Sequence, residues 1–300
     1  MQAARGGPTA DDPSLAGGPV ARESLAREPL AREPLAREPL AIVTGGSSGI
    51  GLAVARELGR RGCRVALLAR DPARLAAAGS LLAGEGLAIL TRPLDVRDRA
   101  ACEAVVAELI AGAGPPLWVV TAAGLVEPGF FLDQDPARME EQVATNLLGT
   151  FHVVRATAPA MAAAGRGHVV LVSSGAGLFG VAGYSGYCAS KFAVRGLGEV
   201  LRMELAQAGV QVTVAVPPDT DTPQLAYEAR HRPAAIAAFA GAGRPLSAEA
   251  VARHMIRSAE RGRFLSAPGW RLGAIARLQG FVSECFARVQ MRLLRRASRD

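Results

Sequence analysis

Leu40-Ala41-Ile42-Val43-Thr44 runs directly into Gly45-Gly46-Ser47-Ser48-Gly49-Ile50-Gly51, and this stretch decides the fold. Its first five residues show no polar alternation, which reads as a strand buried on both faces. The residues after Gly49 repeat with helical spacing as far as Arg61. Between strand and helix the glycines permit a tight turn and let the backbone approach a pyrophosphate, which the helix N-terminus attracts. Strand, glycine loop and helix in this order form the first unit of a dinucleotide-binding fold. Gly45, Ser47, Ser48, Gly49, Ile50 and Gly51 are therefore the expected cradle. A Walker-type nucleotide loop is excluded, because its lysine is missing from the stretch.

Working outward, the same alternation continues. Leu40–Thr44, Arg64–Ala69, Leu87–Arg92, Leu117–Thr121, His168–Ser173 and Val210–Val216 read as strands. Gly49–Arg61, Asp71–Leu82, Arg97–Ala111 and Ala137–Ala164 read as amphipathic helices between them. Continuous apolar strands imply a parallel sheet with both faces covered. Right-handed crossovers then give a doubly wound α/β domain of Rossmann type over residues 39–268, with ligands at the carboxyl ends of the strands.

The flanks differ. Residues 1–38 contain Ala-Arg-Glu-Ser-Leu followed by three Ala-Arg-Glu-Pro-Leu repeats, and a proline every fifth residue blocks a continuous helix. This arm reads as low-complexity and disordered. Residues 269–300 carry seven arginines against Glu284 and Asp300, a net +5, whereas the whole chain is +7. The basicity is concentrated in the tail, and the core is not basic, so a nucleic-acid partner is not expected. Within Trp270–Arg296, Ile275, Leu278, Phe281, Val282, Cys285, Val289 and Leu293 recur at helical spacing among the arginines. Such a basic amphipathic helix suits peripheral contact with an anionic membrane, or packing on the parent domain or another subunit. Cys63, Cys102, Cys188 and Cys285 show no paired spacing, which fits reduced thiols in a cytoplasmic setting. No apolar run is long enough to span a bilayer.

One residue carries the chemistry. Thirty-four basic residues include a single lysine, Lys191, four residues after Tyr187. On a helix that spacing puts both side chains on one face, and a lysine is a compact cation that arginine does not imitate. At the end of the second strand stands Ala69-Arg70, where an NAD-type site needs an acid; an arginine there suits the 2′-phosphate of NADP. Asp95, followed by Val96, comes after the third strand, where a carboxylate can accept from an adenine amino group.

This ordered set resembles the short-chain dehydrogenase/reductase family over about Leu40 to Pro268. The motifs are TGxxxGxG at Thr44–Gly51, a serine thirteen residues before the tyrosine, and YxxxK at Tyr187–Lys191. The resemblance implies that Ser174 holds a substrate carbonyl, that Tyr187 and Lys191 are catalytic, and that Asn146 kinks its helix and holds a proton-relay water. It also places Pro217, Thr220 and Thr222 on the cofactor, Thr222 at the nicotinamide carboxamide. Tyr184 is set aside, since four residues on it meets Cys188. Two departures stand out. The family's first asparagine after the fourth strand is Thr121 here, expected to take over part of its hydrogen bonding. Its usual Pro-Gly is Pro217-Pro218. The run Val214–Pro223 is similar to the 3-ketodihydrosphingosine reductase subfamily, which implies NADPH-dependent reduction of a long-chain keto-lipid. Lys191 and oxidised nicotinamide are then expected to lower the Tyr187 pKa. Gln224–Arg244, with its apolar Ala234–Ala240, corresponds to a lid or to a packed surface helix. A homo-oligomer is the expected assembly. A different ketone, or a dinucleotide-binding protein without catalysis, are the alternatives.

Overall fold

The computed structural model describes residues 38–233 and 244–297. The arm expected over residues 1–38 therefore lies outside the described residues but for Glu38, and so does Ala234–Ala240. The first half comprises β1 (Leu40–Thr44), α1 (Gly49–Arg60), β2 (Arg64–Ala69), α2 (Pro72–Gly84), β3 (Ile89–Pro93), α3 (Arg99–Ala113) and β4 (Trp118–Thr121). The second comprises α4 (Pro136–Val143), a π-helical turn (Ala144–Leu148), α5 (Gly149–Ala163), β5 (Gly167–Val172), α6 (Ser185–Ala206) and β6 (Val210–Ala215). Beyond lie β7 (Thr220–Asp221), α7 (Pro223–His231), β8 (Leu246–Ser247), α8 (Ala248–Glu260), β9 (Leu265–Ser266) and α9 (Trp270–Ala297).

The main sheet has strand order β3-β2-β1-β4-β5-β6-β9 and is parallel throughout. The order reverses between β1 and β4, and this opens a crevice at their carboxyl ends. Successive strand residues feed opposite apolar layers. Ala41 and Val43 pack with Val54, Leu58 and Met255, while Leu40 and Ile42 pack with Val153, Met161 and Val194. Coverage on both faces is why β1 carries no polar residue before Thr44.

Capping refines the expected boundaries. Asp71 accepts from the Ala73 and Arg74 amides, so α2 begins after it; Asp98 does the same for Ala101 and starts α3 at Arg99. The single helix expected from Ala137 to Ala164 is two helices joined by the π turn around Asn146. There the Asn146 side chain accepts from Leu125 N at 2.9 Å and donates to Leu125 O at 3.0 Å and Ser190 Oγ at 2.9 Å.

Thr121 does not do the work expected of it. Its buried hydroxyl has no hydrogen-bond partner among the described residues. The loop after β4 is latched instead by Thr44, whose Oγ1 accepts from Ala123 N at 3.0 Å. A hydroxyl on Cβ is one bond shorter than an asparagine amide and does not reach the same partners.

The tail helix packs on its own domain. Leu272, Ile275 and Ala276 of α9 meet Leu178 and Val216. Further along, buried Gln290 accepts from Ala182 N at 3.0 Å and donates to Gly180 O at 2.8 Å. The side chains of Trp270, Phe281, Val282 and Leu293 lie outside those described. Among the described residues no helix is long and apolar enough to cross a membrane.

An unsatisfied buried hydroxyl is a cost that an isosteric methyl removes. Thr121→Val is expected to raise stability to urea by about 1 kcal/mol; a loss of that size would mean that Thr121 has a partner after all.

Candidate active site

The site is assembled at the carboxyl ends of β1 to β6. At the first, Gly45 has φ 66°, and a Cβ there would lie 2.7 Å from Ala122 O. Only glycine lets this loop pass so close to the end of β4. A Cβ at Gly49, also left-handed at φ 54°, would meet Thr222 Cγ2 at 3.1 Å. The loop thus touches the segment after β6, on which Thr222 sits. Ser48 caps α1 without using its side chain, and no acid occupies the first turn of the helix. Its first amides remain open to an anion, the arrangement a pyrophosphate needs. The glycine loop and the amide cradle fit a dinucleotide.

At the ends of β2 and β3 the charges form one network. Arg70 is half exposed, with Nη1 3.8 Å from Glu141 Oε1. Asp95 is held by Arg97, Nη2 to Oδ2 at 2.6 Å, and accepts from the Arg97 amide. The hydrogen bond from the Arg97 side chain, above all, keeps the Asp95 carboxyl below the usual range. Glu141 also meets Arg97 and Arg138, each at 3.1 Å. Three arginines therefore surround two acids, leaving one positive charge. Val96 is buried, and its carbonyl lies 3.0 Å from His152 Nδ1. It anchors the strand end against α5. Arg97 and Arg138 were not singled out from the sequence, since isolated helix-end arginines look like solvated charges.

The reacting corner lies between β5 and α6. Tyr187 and Lys191 are both buried on one face of α6, with Lys191 Nζ 5.6 Å from the Tyr187 ring centroid. Lys191 donates to Val172 O at 2.9 Å. Burial pulls its pKa down to about 8. Ser174 follows β5, and its Oγ accepts from Ala176 N at 3.2 Å. The side chains of Ser174 and Gln224 hydrogen-bond Tyr187. Burial, with the Glu228 charge adding to it, pushes the Tyr187 phenol up, not down as the sequence suggested. The cause is geometric: the Lys191 ammonium is engaged by the Val172 carbonyl, and desolvation of the phenolate outweighs it. Asn146 is near Lys191 without bonding it. A Cβ placed on Gly124 would sit 3.1 Å from Asn146 Oδ1 and 3.5 Å from Lys191 Nζ, so the missing side chain leaves a small polar space between them.

These groups line one cleft of about 340 Å³. Ile50, Ser174, Tyr187, Lys191, Pro217 and Thr220 reach it together, as does Thr222. Thr220 Oγ1 donates to Pro218 O at 2.7 Å, and Thr222 caps α7 by accepting from Leu225 N. Gln224, Glu228 and Arg232 extend along the cleft from α7 and its end. Their four-residue spacing after a Thr-Pro helix start was the signal that could have found them. Tyr184, set aside from the sequence, also lines the cleft, and its hydroxyl accepts from Arg232 Nε at 2.7 Å.

A family model for short chain dehydrogenases matches residues 39–233. The chain is 36% identical over 233 residues to a 3-ketodihydrosphingosine reductase of Bos taurus, covering 76% of this chain and 70% of the relative. It is 37% identical over 226 residues to a 3-dehydrosphinganine reductase of Arabidopsis thaliana, covering 74% and 67%. Among solved structures, an actinorhodin polyketide ketoreductase with NADPH superposes with a TM-score of 0.73 at 30% identity, covering 79% of this chain and 97% of the other. A family model spanning most of the chain, together with the glycine loop and the buried tyrosine–lysine pair, makes this chain a member of the short-chain dehydrogenase family.

Proposed function

We propose that the protein reduces a long-chain ketone, 3-ketosphinganine, to sphinganine with NADPH. The observation that carries this reading is the convergence of Ser174, Tyr187 and Lys191 on a cleft with apolar walls. Phe179, Val181, Leu225 and Leu272 of α9 supply those walls, a surface suited to an acyl chain. The reductases of Bos taurus and Arabidopsis thaliana support the substrate.

When bound, NADPH supplies the hydride for the ketone carbon. Ser174 donates to the carbonyl oxygen and fixes its position. Tyr187 keeps its proton at neutral pH because burial disfavours the phenolate, and it releases the proton to the oxygen only as negative charge develops there. Lys191 places a cation beneath the tyrosine and would hold a nicotinamide ribose there. Asn146, fixed by Leu125 and Ser190, borders the space through which Lys191 connects to solvent. At the other end Arg70, Arg97 and Arg138 supply net positive charge that would suit a 2′-phosphate, and Asp95 and Val96 would hold the adenine. The exposed Leu278, Val289 and Met291 of α9, with exposed Arg277 and Arg292, are the groups offered to an anionic membrane.

The test is NADPH oxidation with 3-ketosphinganine beside short-chain ketones: a clear preference for the lipid is expected, and turnover of short ketones alone would refute the substrate. Cofactor choice is checked by Arg70→Ala, which is expected to weaken NADPH at least about tenfold more than NADH, through loss of a charge-assisted contact. Equal losses in titrations of the two cofactors would remove Arg70 from the discrimination.

A further inference from the structure

Beyond the catalytic pair, the cleft contains a partly buried acid that the reduction does not use. Glu228 projects from α7, its side chain only 13% exposed. Gln224 Nε2 donates to Glu228 Oε1 at 3.3 Å, and the Gln224 side chain hydrogen-bonds Tyr187. One side-chain amide therefore separates this carboxylate from the proton donor. On its other side, Glu228 Oε2 lies 3.5 Å from Arg232 Nη2, while Arg232 Nε is committed to the Tyr184 hydroxyl. Tyr184 also hydrogen-bonds Glu228.

Charge in the lid side of the cleft does not balance. Its lining acids are Glu228 and Asp219, and its only lining cation on that side, among the described residues, is Arg232. Lys191, at the base beneath Tyr187, brings the whole lining to neutrality, so the excess of acid is local to the α7 side. On that side Glu228 is paired with Arg232, and the exposed Asp219 supplies the further negative charge. A buried carboxylate is costly unless matched by a cation and hydrogen bonds. Here burial holds Glu228 above the usual carboxylate range, with Asp219 adding to the rise against Gln224 and Arg232.

We propose that Glu228 selects the substrate by accepting hydrogen bonds from an ammonium group on the carbon next to the ketone. This inference rests on the reading of the substrate as a long-chain amino ketone and deepens it. With the carbonyl oxygen at Ser174 and Tyr187, a group on the adjacent carbon lies toward Gln224 and Glu228. A cation there meets the local excess of acid and offers further donors to a carboxylate that still borders the cleft. An uncharged substituent leaves the carboxylate as it was. Discrimination of this kind comes from the charge-assisted hydrogen bond that an uncharged substituent cannot add.

The experiment compares 3-ketosphinganine with the same ketone carrying hydrogen in place of the amine, for the wild type, Glu228→Gln and Glu228→Asp. The readout is the ratio of kcat/KM for the two ketones, so any effect of the charge on Tyr187 itself cancels. Wild type is expected to favour the amino ketone. Glu228→Gln is expected to lower the ratio about 10- to 100-fold, the range of a charge-assisted hydrogen bond, mainly through KM. Glu228→Asp is expected to recover part of it. NADPH binding, followed by fluorescence, reports whether each variant is folded. A ratio in Glu228→Gln within twofold of wild type overturns the inference and leaves the reductase reading standing. So does a wild type that reduces both ketones equally well, a result that needs no variant. A wild type that reduces neither ketone overturns the substrate reading and this inference with it.

Discussion

Burying the ammonium of Lys191 is the constraint on which the site depends. A cation in an apolar interior is tolerated only with a fixed partner, and here the partner is the last carbonyl of β5, Val172 O. This one bond ties the middle of α6 to the carboxyl edge of the sheet and thereby sets the height of Tyr187 one turn earlier. Ser173 reinforces it by donating to Lys191 O at 2.8 Å. Gly177 lets the turn after β5 lie against α6, since a Cβ there would sit 2.8 Å from Lys191 O. Helix, strand end and turn are thus a single rigid block. Catalytic geometry comes from packing that a surface lysine could not provide.

The same block explains why the phenol is held as an acid. Both Tyr187 and Lys191 are largely desolvated, so each is pushed toward its neutral form, the tyrosine up and the lysine down. Reduction of a ketone needs a protonated donor that yields when charge appears on oxygen, and burial supplies the first half of that requirement.

Much of this was legible in the sequence. The strands were visible because burial on both faces forbids polar alternation, and β1 and β2 fall where their apolar runs do. The glycine loop and Tyr187–Lys191 were legible because their spacing is local. Helix starts shifted by a residue or two where Asp71 and Asp98 act as caps rather than first-turn residues. What failed was long-range. The Thr44 latch joins residues 79 apart in the chain, and without it Thr121 looked like the substitute for the missing asparagine. Tyr184 was discarded on its local spacing, yet its role depends on Arg232, 48 residues on. The stripe on α9 was clear, but periodicity cannot say what a stripe faces: Ile275 packs against the Leu178 and Val216 cluster, whereas Leu278, Cys285 and Val289 are exposed.

The central claim is that the chain's lone lysine is irreplaceable because it is buried, paired with a carbonyl and placed beneath Tyr187. The most direct measurement is steady-state turnover of 3-ketosphinganine by Lys191→Arg, with NADPH affinity and thermal unfolding measured on the same sample. A guanidinium keeps the charge but not the compact shape. The account predicts a folded protein whose turnover falls at least about 100-fold, the scale of a lost acid–base function. Turnover near that of the wild type would contradict it.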